Sequence, residues 1–106
     1  MTSCEGRARE PMLTVWSYGY EPWQVSSCNV RAIRVDKTLV AVATRRSSAG
    51  GWTARDTRAV RGDFGRVQDV RPGDLPIAWG AGWDSPNDRG ATTADEMVAI
   101  ARGEAR

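Results

Sequence analysis

Apolar and polar positions alternate through much of the first sixty residues. Over 12–20, Leu13, Val15 and Ser17 fall on one face and Met12, Thr14, Trp16 and Tyr18 on the other. A period of two predicts a strand with one buried face. Glu21-Pro22 ends it, because proline gives a ladder no amide hydrogen and restricts the residue before it. Two Val/Ile/Thr-rich runs follow, 29–35 and 38–45. Asp36-Lys37 between them is a two-residue turn, although it lacks the glycine that a type I′ hairpin favours. Ser47-Ser48-Ala49-Gly50-Gly51 marks a loop. Residues 52–60 alternate again, with Trp52, Ala54 and Asp56 against Thr53, Arg55 and Thr57. The stretch 29–60 therefore predicts a three-stranded antiparallel meander.

Beyond it the pattern thins. A short strand is expected within 66–70, a turn at Arg71-Pro72-Gly73-Asp74, and a short apolar strand over 75–79. Residues 80–90 are rich in Gly, Pro, Asn and Asp and are expected to be irregular. The helix comes last. Thr93-x-x-Glu96 is a capping box, and Asp95 suits the positive end of a helix dipole. Met97, Val98, Ile100 and Ala101 follow at helical spacing, and Gly103 is a natural stop. A helix over about 94–102 follows, packed on one face of the sheet. Residues 1–11 hold no periodic apolar residue and read as a disordered arm, with Met12 an alternative start. The expected fold is a single α+β domain over 12–106: an antiparallel sheet of four to five strands and one C-terminal helix.

Length and composition agree with one small domain. The chain has 106 residues, room for one core. Leu, Ile, Val and Phe number 3, 3, 10 and 1, so that core is thin and valine-rich, which favours strands. Five Trp, two Tyr and three Met supply the missing volume.

Composition also removes chemistry. With no His, Ser-His-Asp and Cys-His catalysis and any His-containing zinc site are excluded. Cys4 and Cys28 are too few for a four-Cys site. The opening MTSCEGRAREPM shows no signal-peptide pattern, so two free thiols in a reducing cytoplasm are expected rather than one disulfide. The longest apolar run, 39–43, is far below the roughly 20 residues that span a bilayer, so no membrane partner is expected. Asp84-Ser-Pro-Asn87-Asp88-Arg-Gly90 has the outline of a calcium loop but carries Pro86 at the third position, and its Gly falls one place late. Turn and cap roles suit these side chains better. Arg61-Gly62-Asp63 and Gly80-x-Gly82 are matches too short to carry weight. Asp95 and Glu96 point about 100° apart on a helix and make no acid/base pair. No catalytic residue, metal or cofactor is expected.

Charge is the main functional hint. The net charge is only +2, but residues 31–71 carry ten basic side chains against Asp36, Asp56, Asp63 and Asp69. Fourteen of the fifteen cations are Arg, a bias that GC-rich coding also produces. Arg31, Arg45, Arg46, Arg55, Arg58 and Arg61 lie on or beside the predicted meander. On a solvated sheet face they would meet phosphates, or read guanine from a ribbon in the major groove. The plainer alternative is that the outer face of a half-buried sheet must be polar. Among the aromatics, Trp52 is expected under the helix and Trp79 in the core. Trp83, in the irregular stretch, is the candidate contact ring.

The expected function is that of a small, cytoplasmic, non-enzymatic binding protein contacting DNA or RNA through an Arg-bearing sheet. The alternative is a protein-binding inhibitor or adaptor, of the kind phages and mobile elements encode, that occupies a partner's surface. A basic sheet backed by a helix is shared by several small DNA-binding modules, an analogy of shape alone.

Overall fold

In chain order the strands are β1 (Met12–Val15), β2 (Trp23–Ser26), β3 (Val30–Val35), β4 (Thr38–Thr44), β5 (Thr53–Arg55), β6 (Val60–Arg61), β7 (Gln68–Asp69), β8 (Ile77–Trp79) and β9 (Gly90–Ala91), followed by helix α1 (Ala94–Ala101). The structure, a computed structural model, describes residues 11–17, 19, 21–80, 90–91 and 93–102. The arm over 1–10, Tyr18, Tyr20, Cys4, Trp83 and the stretch 81–89 lie outside the described residues.

The strands divide into two sheets. The smaller has the order β2-β1-β6 and is antiparallel. The larger has the order β7-β3-β4-β5-β8-β9, with β3–β4–β5 as the expected meander and parallel pairs at β3–β7 and β5–β8. Alternation dictates the layering. On β3 and β4, Val30, Ala32 and Val42 face the small sheet and pack with Leu13, Val15, Val25 and Val60. Ile33, Ala41 and Ala43 face the other way and pack with Trp52, Ala54, Ile77, Trp79 and the helix residues Met97 and Ile100. The meander is therefore a middle layer, covered on both faces.

Several expectations hold in detail. Asp36 and Lys37 both take positive φ, 52° and 70°, the two left-handed positions of a type I′ turn. Thr93 Oγ1 accepts the Glu96 amide at 3.0 Å and starts α1, with Asp95 and Glu96 in its first turn. Met97 and Ile100 are buried on its inner side. Gly62 has a φ of +147°, and a Cβ there would lie 2.8 Å from Leu13 Cγ. Asp63 next to it caps a 3-10 turn through the Gly65 amide. The Arg-Gly-Asp triplet is thus occupied with turning the chain.

Others are corrected. The α+β class stands, and among the described residues nine strands lie in two sheets rather than four to five in one. The alternation over 52–60 is not one strand. The Asp56 carboxylate accepts the Arg58 amide at 2.9 Å and starts a 3-10 turn over Thr57–Ala59. That turn carries the chain from the large sheet to β6 in the small one. Strand β2 was not foreseen, since only Trp23 and Val25 point inward in its four residues. Pro11, placed in the arm, already accepts the Ser27 amide at 2.9 Å. Cys28 is disulfide-bonded, and no cysteine is free among the described residues, so the expected pair of free thiols is overturned. Spacing along the chain carries no information on whether folding brings a second sulfur to the half-buried turn at Ser27–Asn29.

Candidate basic and aromatic site

The six candidate arginines do not share a face, because successive strand residues point to opposite sides. Arg31 and Arg45 go to the helix side of the large sheet, and both guanidinium groups lie over Trp52, at 5.1 and 4.5 Å from its ring centroid. Arg31 is buried, 5% exposed, and its Nε meets Asp74 Oδ2 at 3.3 Å. Its Nη1 also donates to the carbonyls of Cys28 and Val30, at 3.4 and 3.3 Å. Burial pushes the Arg31 guanidinium below its ordinary value, Arg71 and Arg45 push the same way, and Asp74 pulls back. Arg45 Nε donates to Asn29 Oδ1 at 2.8 Å, and its Nη1 to the Ser48 carbonyl at 3.2 Å. These two arginines hold loops against the sheet. The Arg-bearing solvated face expected for the meander is therefore absent: each side of β3 and β4 is covered, and Arg31 is part of the interior.

Arg46, Arg55 and Arg61 gather elsewhere, at the end of the small sheet where β1 finishes. Val15 of β1 is the Cα partner of both Trp23 and Val60, and the Trp16 amide donates to the Ala59 carbonyl at 2.7 Å. Trp23 rests on the core between the sheets. Arg46, two residues past the end of β4, lies over the Trp23 ring at 4.3 Å. Arg61 pairs with Thr14 on the outer face and lies over the Trp16 ring at 5.3 Å. Arg55 donates to Thr44 Oγ1 at 2.9 Å and to Ser17 Oγ, one residue on from Trp16, at 3.1 Å. Burial lowers the Arg55 pKa first, and the charge of Arg46 lowers it further.

Charge at this end is only partly offset. Arg46 and Arg61 are exposed, and none of the ion pairs among the described residues includes them. Arg58 is also exposed, but Asp56 holds it at 3.3 Å. The acids nearest along the chain are Glu21, two positions before Trp23, Asp56, which follows Arg55 and holds Arg58, and Asp63, two positions after Arg61. The indole Nε1 atoms of Trp16 and Trp23 are buried and have no hydrogen-bond partner among the described residues.

Trp83, the ring expected to make contact, lies outside the described residues. The rings that the fold sets beneath exposed arginines are Trp16 and Trp23. Trp16 had a signal: alternation puts this large ring on the polar face with Thr14. Trp23 had none, because its role depends on the approach of Arg46 from the other sheet. Among the described residues no group of three potential metal ligands exists, and no helix is long and apolar enough to cross a membrane.

Comparisons with protein-family models, with curated proteins and with solved structures yield no match.

Proposed function

We propose that the protein is a small non-enzymatic binding protein that contacts nucleic acid through the Arg46, Arg55 and Arg61 end of its small sheet. The observation that carries this is the pair of guanidinium–indole stacks at one sheet end, with both outer cations exposed and outside any ion pair described. Arginine suits the role because its planar fork can give N–H groups to phosphate while its face stays stacked. Arg31 and Arg45 support the surface from within and do not join the contact. The contact therefore counts about three cations rather than six. The free-thiol argument for a cytoplasmic setting does not survive the bonded Cys28, so the proposal carries no compartment.

Fluorescence anisotropy with labelled mixed-sequence DNA and RNA tests this. With about three phosphates neutralised, the log–log salt slope is about −2 to −3, and affinity falls about 15- to 40-fold between 50 and 200 mM salt. Six arginines acting together would give about 10³-fold. Replacing Arg46 and Arg61 by Ala together lowers affinity and flattens the slope by about 1.5, whereas Arg58→Ala leaves both nearly unchanged. Absence of binding to either nucleic acid at 50 mM salt overturns the proposal and leaves the protein-binding inhibitor or adaptor as the reading to pursue.

A further inference from the structure

We infer that the site takes single-stranded rather than duplex nucleic acid, with bases stacked on the Arg46–Trp23 and Arg61–Trp16 pairs; this rests on the nucleic-acid reading above. The fold closes the alternative route. Groove readout by strands needs a two-stranded ribbon standing clear of the protein. The β3–β4 pair is covered by the small sheet on one face and by the helix layer on the other. Its exposed turn, Asp36-Lys37, carries charges that cancel.

The two stacks also suit a flexible chain. Trp16 follows Val15, whose Cα partner is Trp23, so the two Cα atoms lie about 6 Å apart, the diagonal of one strand spacing and one residue rise. They leave the sheet on opposite faces: Trp23 on the core side, Trp16 on the outer side with Arg61. A rigid duplex laid against one face reaches one stack. A single strand can bend around the sheet end and reach both. Each exposed guanidinium offers a planar face on which a base stacks, and its edge offers donors to the phosphate beside that base. Among the described residues the indoles have no hydrogen bond to break if they turn to improve the stack. Arg55, half-buried, bonded to Ser17 and near enough to Arg46 to feel its charge, adds positive potential.

The test uses the full chain and four probes of matched length: mixed-sequence single-stranded DNA, the same sequence as RNA, the DNA duplex, and inorganic polyphosphate. Single strands are expected to bind at least about tenfold more tightly than the duplex at 50 mM salt, since each stacked base adds about that much. They are also expected to quench tryptophan fluorescence, which polyphosphate leaves unchanged. Arg46→Lys with Arg61→Lys keeps the charge but loses the planar stack. Both positions are exposed, so the fold is retained, as a melting curve would verify. This variant is expected to keep the salt slope while losing most of the single-strand preference. Equal affinity for duplex and single strand overturns the inference and leaves the proposed function standing. The inference also fails if the lysine variant keeps the full preference, or if polyphosphate competes charge for charge. Loss of all binding to nucleic acid overturns both.

Discussion

Replacing Asp74 by Asn removes one charge and little else. Asn keeps an acceptor for the Arg71 amide, which meets Asp74 Oδ2 at 3.4 Å. What remains is a guanidinium 5% exposed, over Trp52, with like charges at Arg71 and Arg45 and no carboxylate. Burial already holds Arg31 below its ordinary pKa, so the folded state accepts its proton less readily than the unfolded chain does. At neutral pH that is a cost to folding, and Asp74 offsets it. At the 3.3 Å Nε–Oδ2 separation the attraction is about 5 kcal/mol for an effective dielectric of about 20. Asp74 is 18% exposed, so water replaces part of this, and a net loss of about 2–3 kcal/mol is expected. That corresponds to a fall in Tm of about 8–24 °C for a domain of this size. Arg31→Met should cost less, about 1–2 kcal/mol, because the stem volume is kept and the freed carboxylate is near solvent. In a double-mutant cycle the pair should couple by about 1–2 kcal/mol. Thermal and urea melts in low salt and in 0.5 M NaCl measure all four proteins, and the buried pair should resist screening. An Asp74→Asn effect below about 0.5 kcal/mol, or one that salt abolishes, would refute the claim that Asp74 offsets a buried charge.

Three further outcomes follow from the packing. Ile100→Ala, a truncation on the buried side of α1, should cost about 2–4 kcal/mol in a urea melt, and a neutral result would mean that the helix does not dock on the large sheet. Thr93→Ala should cost about 1 kcal/mol through the lost cap on the Glu96 amide, with the slope of the melt unchanged. Gly62→Ala should cost about 1–3 kcal/mol, since the new methyl meets Leu13 and the backbone stays at positive φ; stability equal to the parent chain would show that the β6 turn relaxes freely.

What the sequence determined is local. The Asp36-Lys37 turn, the β3–β4 pair, the inward Leu13 and Val15, and the capped C-terminal helix are each written in periods of two or 3.6 and in side chains that satisfy nearby amides. Those signals act over a few residues, so the chain displays them before it folds. The division into two sheets was not displayed. Alternation continues in phase across the 3-10 turn at Thr57–Ala59, and a sequence reads the same whether or not its strand changes partners there. The same limit governed the charged residues. Arg31, Arg45, Arg46 and Arg61 look alike along the chain, yet a second covering layer buries Arg31, turns Arg45 inward onto Trp52, and leaves Arg46 and Arg61 outside on Trp23 and Trp16. Which face of a sheet is solvent depends on what packs against it from distant segments. Only the tertiary structure decided which arginines hold the fold together and which remain on its surface.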